Sequence, residues 1–136
     1  MVLIDLSKVF DSICHRTLLL KLQGLGASSK ASKWFQSYLT DRLQSTRLGT
    51  VRSEELIVTH GVPQGSILGP LLFTLCITDL PSVVKVSSVE SYVDDTKVYL
   101  SFSSKDIDSC LTKVIEDLRI IATWCCTNKL LINPSN

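Results

Sequence analysis

The sequence predicts an α+β fold, in which helices pack on one face of a largely antiparallel sheet. One observation is the order of segments along the chain: strand, helices, hairpin, helix, second hairpin, helix and final strand. Another is composition, because 45% of the 136 residues are apolar, which is enough for one core. A third is a long apolar repeat of three and four residues near the end of the chain, which is typical of an amphipathic helix.

The first forty residues are predicted to form one strand and two helices. Residues 2–6 make a short apolar strand with Asp5 at its end. Residues 16–23 form a leucine-rich helix that is closed by Gly24. Ser28 or Ser29 caps the next helix. One face of that helix carries Trp34, Phe35, Tyr38 and Leu39. For the three aromatic residues, contact with the core is favoured over stacking on bases.

The middle of the chain is predicted as two β segments, a loop and a helix. The β segments are residues 43–51 and 56–59, with a turn signal at residues 48–50. Residues 61–65 form a loop because of their glycines and proline. A helix then runs from about residue 69 to residue 80 and is stopped by Pro81.

The last third is predicted as a hairpin, a long helix and a short strand. Residues 83–93 and 96–102 are the two arms of the hairpin, and an acidic pair lies at its tip. The helix covers residues 107–125, with Ser103 and Asp106 in the spacing of a capping box. Residues 130–132 form the final strand.

Composition excludes some classes of function. The net charge of +1 argues against a general basic surface for nucleic acid, although basic residues on one face are compatible with it. The five cysteines have neither metal-ligand spacing nor an even count, which indicates free thiols in a reducing, intracellular compartment. The longest apolar run, residues 67–77, is too short to span a bilayer, so no membrane association is predicted. No signal peptide is recognised at the start.

Three acidic residues are the candidate site: Asp5, Asp94 and Asp95. If the first strand pairs beside the acidic hairpin, the three carboxylates crowd together, and a divalent cation relieves their repulsion. Carboxylate oxygens are the ligands that Mg²⁺ prefers. Two such ions about 3.5–4 Å apart serve in-line phosphoryl transfer. The competing interpretation is an ordinary turn, because aspartate favours turns.

Three ordered motifs carry a resemblance to a known family. They are DLSKVFD at residues 5–11, GVPQGSILGPL at residues 61–71 and YVDDT at residues 92–96. They resemble motifs A, B and C of reverse transcriptases, and residues 124–136 resemble a truncated motif D. Together with the residues between them, these motifs are similar to non-LTR (LINE-type) retrotransposon reverse transcriptases over essentially the whole chain.

The resemblance implies a polymerase palm that transfers deoxynucleotides to a primer 3′-OH with two Mg²⁺ ions, or Mn²⁺. Asp5 and Asp94 bind both metals, and Asp95 is the third acidic member. Phe10 occupies the position of a steric gate against a ribose 2′-OH, while Gln64 and Gly65 pack against the incoming nucleotide. Taken alone, Phe10 is a core residue and residues 63–65 are a turn. The implied partners are an RNA template, a DNA primer and deoxynucleoside triphosphates.

The same resemblance implies that residues 1–136 are a partial domain. The fingers and thumb of a larger polyprotein are expected outside this chain, and Asn136 stands where the family usually has a lysine after the Asn-Pro-Ser stretch. The isolated chain is therefore expected to be inactive. One alternative is a catalytically inactive retrotransposon remnant that acts at most as a binding module. A metal-dependent nuclease is a further class, but it has no need of the Phe10 gate or the Gln64 loop.

Overall fold

The computed structural model describes residues 1–93 and 95–133, and within them helices and antiparallel strands alternate as the sequence predicts. A 3₁₀ turn, Ser104–Asp106, precedes the last helix. The elements are β1 (Val2–Ser7), α1 (Val9–Ser12), α2 (His15–Gly24), α3 (Ser29–Leu39), β2 (Leu43–Gln44), β3 (Arg47–Leu48), β4 (Val51–Arg52), β5 (Leu56–Ile57), α4 (Leu68–Ile77), α5 (Leu80–Val83), β6 (Ser88–Tyr92), β7 (Asp95–Tyr99), α6 (Ile107–Thr127) and β8 (Leu131–Ile132).

The main sheet has four strands in the order β6-β7-β1-β8, and each neighbouring pair is antiparallel. Successive side chains of a strand point to opposite faces, so each strand divides its residues between two surfaces. The covered face holds Ile4, Leu6, Thr96 and Val98, all buried. The opposite face of the same two strands holds the exposed Leu3 and Lys97. The helices therefore cover one face only, and the predicted α+β class is confirmed.

Helix α4 is the centre of the core. Leu72 and Phe73 are completely buried, and Cys76 is nearly so. Burying a leucine or phenylalanine side chain contributes about 1.5–3 kcal/mol each. The helix predicted at about residues 69–80 is thus present, but it covers Leu68–Ile77 and ends three residues earlier. No helix in the described part of the chain is long and apolar enough to cross a bilayer.

The start of α3 follows prediction, whereas the end of α2 does not. The Ser28 hydroxyl accepts a hydrogen bond from the Ala31 N–H (3.2 Å), as an N-cap does. Helix α2 is closed by Gly26, not by Gly24. Gly26 has φ +88°, and the N–H of Ala27 donates to the Leu22 carbonyl, which together make a Schellman motif. Gly24 is inside the helix.

On α3, Leu39 is buried but Trp34 is half-exposed, so Trp34 is not the core residue that was predicted.

Residues 43–57 form short strands where longer ones were predicted. The expected strand at residues 43–51 is broken into β2, β3 and the start of β4, which form parts of two separate two-stranded sheets. The side chains of these strands are exposed, so they gain no stabilisation from packing on the core that would favour longer strand pairing. Gly49, with φ +61°, lies between β3 and β4. The turn signal was correct and the strand length was wrong.

Pro81 begins a helix where it was predicted to end one. Helix α4 ends at Ile77, and α5 starts at Leu80 with Pro81 in its first turn. The missing N–H of proline costs nothing in a first turn, because the N–H groups there have no partner within the helix. The sequence pattern did not separate this use of proline from a helix stop.

The arms of the acidic hairpin are shorter than predicted, whereas the last helix extends two residues beyond its predicted end. Strand β6 begins at Ser88 instead of residue 83, because the Asp117 carboxylate binds the backbone N–H groups of residues 85–87. The predicted capping box is wrong. In the part of the chain that the structure describes, neither Ser103 nor Asp106 makes a side-chain cap. Helix α6 otherwise follows its predicted periodicity.

The cysteines are free thiols, as predicted. Cys76, Cys110 and Cys125 are buried, and Cys126 is exposed. Burial raises the pKa of the Cys125 thiol to about 11, so it stays protonated and unreactive at neutral pH.

Candidate active site

The sheet places two of the predicted acidic residues opposite each other. Asp5 of β1 and Asp95 of β7 are register partners in an antiparallel pair. Such partners share a face of the sheet, with Cβ atoms about 4.5–5.5 Å apart. Their neighbours Ile4 and Thr96 point into the core, so the two carboxylates lie on the open face. The third predicted residue, Asp94, lies outside the described residues.

The hairpin that carries Asp95 has a strained end. Tyr92 and Asp95 are register partners at the last rung between β6 and β7. Val93 follows Tyr92 with φ +55°, a conformation that β-branched residues rarely adopt. Strain of this kind costs on the order of 1–3 kcal/mol and concentrates at functional sites. Tyr92 is 82% exposed beside Asp95, so the row across the open face contains an aromatic ring and two carboxylates.

Asn133 completes the surroundings of Asp5. Its Nδ2 donates to Oδ2 of Asp5 (2.7 Å), and its backbone N–H donates to the Asp5 carbonyl (2.9 Å). These contacts join the residue after β8 to the middle of β1. Sequence reasoning assigned no role to Asn133, because its partner lies 128 residues earlier and no local pattern links them.

The chemistry of this donor set fits a divalent cation. Two like charges directly opposite on a sheet destabilise it, and a bound cation removes that cost. Both groups are hard oxygen donors, as Mg²⁺ requires. Within residues 1–93 and 95–133, however, no group of three His, Cys, Asp or Glu side chains is arranged to hold a metal. The described residues therefore supply a carboxylate pair.

Phe10 lies on α1, which starts just after β1. Its ring packs against Phe73 of the core, with centroids 5.7 Å apart and planes tilted by 55°. The side chain remains partly exposed. Lys8 adopts the left-handed conformation (φ +48°) and turns the chain from β1 into α1. Phe10 is thus anchored on one side by the core and open on the other, and its role at a nucleotide stays a prediction.

The loop at residues 61–65 lies directly against α1. The Val62 N–H donates to the Phe10 carbonyl (2.7 Å), and the Gly61 N–H donates to the Ile13 carbonyl (2.8 Å). Gly61 has φ +83°, and a Cβ added there meets the Phe10 oxygen at 2.8 Å and the Asp11 Cα at 2.9 Å. Only glycine allows this approach of the two backbones.

Side chains reinforce the same contact. Nε2 of Gln64 donates to Oδ1 of Asp11 (2.8 Å), and Nε2 of His15 donates to the Gly61 carbonyl (2.6 Å). Gly65 has φ +77° and open space around the position of a Cβ. Sequence reasoning did not assign Asp11 or His15 to the site. Asp11 lies 53 residues from its partner Gln64, and His15 lies 46 residues from its partner Gly61, so no local sequence pattern shows these contacts.

A cleft of about 650 Å³ opens beside this loop. Its lining includes Asp11, Gln64, Arg42 and His60, whereas Asp5 and Asp95 are not part of it. Arg42 lies 5.5 Å from the Tyr38 ring. The cleft therefore presents a cation and several hydrogen-bonding groups next to the open side of the loop. Sequence reasoning did not single out Arg42.

Comparison with known proteins gives one consistent result. The family described as "Reverse transcriptase (RNA-dependent DNA polymerase)" matches residues 1–135. The chain is 31% identical over 98% of its length to the "Probable RNA-directed DNA polymerase from transposon BS" of Drosophila melanogaster. It is 29% identical over 89% of its length to the "RNA-directed DNA polymerase from mobile element jockey" of the same organism. The chain spans only 15% and 14% of these two relatives.

Proposed function

Because the chain belongs to the reverse transcriptase (RNA-dependent DNA polymerase) family, with relatives among non-LTR retrotransposons, we propose that it is the palm of an RNA-directed DNA polymerase. The observation that carries the proposal is the Asp5–Asp95 pair on the open face of the sheet. The opposite face is covered by helices, so this surface is free to meet a primer and a nucleotide.

Asp5 and Asp94 hold the divalent cations in this proposal, with Asp95 as the third acidic member. When bound, two Mg²⁺ ions lower the pKa of the primer hydroxyl and stabilise charge on the leaving pyrophosphate. The chain itself contributes the positions of the carboxylates. Strands β1 and β7 fix the carboxylates of Asp5 and Asp95 by their ladder, and Asn133 holds one oxygen of Asp5.

The nucleotide site is proposed around α1 and the loop. Phe10 has its inner side packed on Phe73, so it cannot retreat from a sugar, and this rigidity suits a gate that excludes a 2′-OH. Gln64 and Gly65 follow on the loop that is bonded to the Phe10 carbonyl through Val62. The open space at Gly65 allows a base or sugar to approach the backbone closely.

The substrates proposed are an RNA template, a DNA primer and deoxynucleoside triphosphates. Since the relatives are about seven times longer than the chain, we propose that segments of a larger polyprotein share the binding of template, primer and triphosphate. Fingers and thumb are the segments that this family would supply.

Primer extension tests the proposal. The chain is joined to the flanking segments of its parent protein, and synthesis on an RNA template is measured with Mg²⁺ and with Mn²⁺. Asp95→Asn should reduce synthesis to background, while the exposed Glu54→Gln, which removes a charge elsewhere, should leave it unchanged. Synthesis that persists in Asp95→Asn and Asp5→Asn would contradict the proposal.

A second candidate is a catalytically inactive remnant that binds a partner. One observation favours it: the segment from β2 to β5 exposes five apolar side chains, and exposed patches of this kind mark interaction surfaces. They are Leu43, Leu48, Val51, Leu56 and Ile57. Binding of Mg²⁺ separates the two candidates, because the polymerase requires it and a remnant does not.

A further inference from the structure

Residues 10–15 and residues 60–64 are joined by backbone and side-chain contacts. Two are backbone hydrogen bonds, from Val62 to Phe10 and from Gly61 to Ile13. Cys14 and His60 form an isolated antiparallel bridge. The other two use side chains, from Gln64 to Asp11 and from His15 to Gly61. The segment that follows the first strand therefore fixes the loop almost residue by residue.

The bond from Gln64 to Asp11 determines how the Gln64 amide is presented. Asp11 is an acceptor only, so the amide nitrogen must face it, and the Gln64 carbonyl oxygen is left as an acceptor for another group. Both side chains are exposed, and a free glutamine there would sample many rotamers. Holding it before a ligand arrives reduces the entropy that binding would otherwise cost.

His15 acts on the backbone of the same loop. The Gly61 carbonyl can only accept, so Nε2 of His15 carries the hydrogen in this contact. Gly61 is buried and lies three residues before Gln64, while Val62 between them is bonded to the Phe10 carbonyl. Any displacement of the loop is thereby transmitted to both Gln64 and Phe10.

We infer that Asp11 and His15 are positioning residues that hold Gln64 at a fixed place relative to Phe10 and so set the discrimination between deoxyribonucleotides and ribonucleotides. The inference rests on the proposed function of the chain. Asp11 orients the Gln64 side chain, and His15 fixes the backbone that carries it. Neither touches the reacting atoms.

The experiment compares four variants in the parent enzyme that contains this chain and its flanking segments. The readout is the ratio of kcat/KM for a deoxynucleotide to that for the matching ribonucleotide. This ratio does not depend on how much of the enzyme is folded, so simple destabilisation leaves it unchanged. Asp11→Ala and His15→Ala should each lower the ratio about five-fold, since each removes one hydrogen bond of ordinary net strength.

The conservative variants should restore the ratio. Asp11→Asn keeps an oxygen that accepts from Gln64, and His15→Gln keeps an amide N–H that can donate to Gly61. Glu54→Gln is the control and should match the parent enzyme. An unchanged ratio in both alanine variants, or no restoration by either conservative variant, would overturn the inference.

Failure of the positioning role can be distinguished from failure of the proposed polymerase function. If the parent enzyme makes no DNA, the polymerase proposal itself is contradicted and this inference falls with it. An independent readout uses the chain alone: the side-chain amide signals of Gln64 in ¹⁵N NMR should shift in Asp11→Ala and stay in place in Glu54→Gln. Signals that do not move in Asp11→Ala would also overturn the inference.

Discussion

Asn133 donates two hydrogen bonds to Asp5, one from its side chain to the carboxylate (2.7 Å) and one from its backbone to the carbonyl (2.9 Å). The chain after β8 is thus tied to the middle of β1, beside the carboxylate that faces Asp95. One carboxylate oxygen of Asp5 is oriented by this contact. Partners of this kind commonly tune the ligands of a metal site.

The first prediction concerns Asn133. Asn133→Ala in the parent enzyme should lower kcat about 10–100-fold, which is typical when a group supporting a metal ligand is lost. The KM for the nucleotide should change little, because Asn133 contacts Asp5 and not the loop at residues 61–65. Steady-state primer extension measures both constants. A raised nucleotide KM with an unchanged kcat would contradict this role for Asn133.

The second prediction contrasts two glycines that both have positive φ. Gly61→Ala places a Cβ 2.8–2.9 Å from the backbone of Phe10 and Asp11, which cannot yield, so unfolding should become easier by about 2–4 kcal/mol. Gly65→Ala meets open space and bears only the conformational cost, about 1 kcal/mol. Urea unfolding of the two variants measures the difference.

Gly65→Ala should nonetheless raise the nucleotide KM of the parent enzyme, since the added methyl group obstructs a close approach to the backbone. Equal losses of stability in the two glycine variants would show that the packing of Gly61 against α1 is not as described.

Local signals in the sequence predicted those parts of the fold that depend on neighbouring residues. The Ser28 cap needs only Ala31, and the periodicity of α6 lies within one helix. The strand pairing that brings Asp5 to Asp95 was expected from the acidic motifs, and the ladder has that register. Pro81 was misassigned because proline fits both after a helix and in its first turn.

The contacts that sequence reasoning missed are between residues far apart in the chain. These contacts are hydrogen bonds between Asn133 and Asp5, between Gln64 and Asp11, and between Asp117 and residues 85–87, and the partners are 30 residues or more apart in the chain. A polar residue inside a helix or loop has many possible partners, and only tertiary packing selects one. The strands at residues 43–57 are short for a related reason: no element in the described part of the chain covers them, and this limits their length more than their composition does.

The third prediction concerns Asp117, a fully buried aspartate on α6. Its carboxylate accepts from the backbone N–H groups of Lys85 (2.8 Å), Val86 (3.1 Å) and Ser87 (2.7 Å). Asp117→Asn replaces one acceptor oxygen by a donor that faces an N–H. The free energy of unfolding at pH 7 should fall by about 2–3 kcal/mol, as for hydrogen bonds to a charged group.

This contribution should depend on pH in a defined direction. Burial by itself would raise the pKa of the Asp117 carboxyl, but the N–H donors of Lys85, Ser87 and Val86 outweigh it and lower the pKa below 3.8. A lowered folded-state pKa means that the stabilisation is complete well above pH 3.8 and is lost as the pH falls through the folded-state value. The stability gap between wild type and Asp117→Asn should therefore narrow below about pH 4. A gap that is constant from pH 7 to pH 3 would contradict the assignment.

The fourth prediction concerns Lys21, which joins α2 to α4 and α6. Its Nζ donates to Oδ1 of Asp79 (2.6 Å) and to the Cys76 carbonyl (2.5 Å), and it lies 4.7 Å from the centre of the Trp124 ring. The Lys21 side chain is only 15% exposed. Lys21→Met should lower the free energy of unfolding by about 2 kcal/mol, because a charged donor and a cation–π contact are lost together.

Asp79→Asn is the matched comparison for Lys21. Asp79 is 44% exposed, and Lys21 keeps its other two contacts in that variant, so the loss should be under about 1 kcal/mol. Urea unfolding measures both variants. A larger loss for Asp79→Asn than for Lys21→Met would show that the ion pair, and not the position of Lys21 between three elements, provides the stability.

Mn²⁺ binding to the chain itself, followed by electron paramagnetic resonance or calorimetry, tests directly whether Asp5 and Asp95 bind one cation. The carboxylates of Asp5 and Asp95 lie opposite each other on the open face of the sheet, and we assign them to one cation site. Asp5→Asn and Asp95→Asn should each weaken Mn²⁺ binding at least about ten-fold, a loss of about 1.4 kcal/mol, while Glu54→Gln binds like wild type. Mn²⁺ binding that is unchanged in both aspartate variants would show that these carboxylates do not form the cation site.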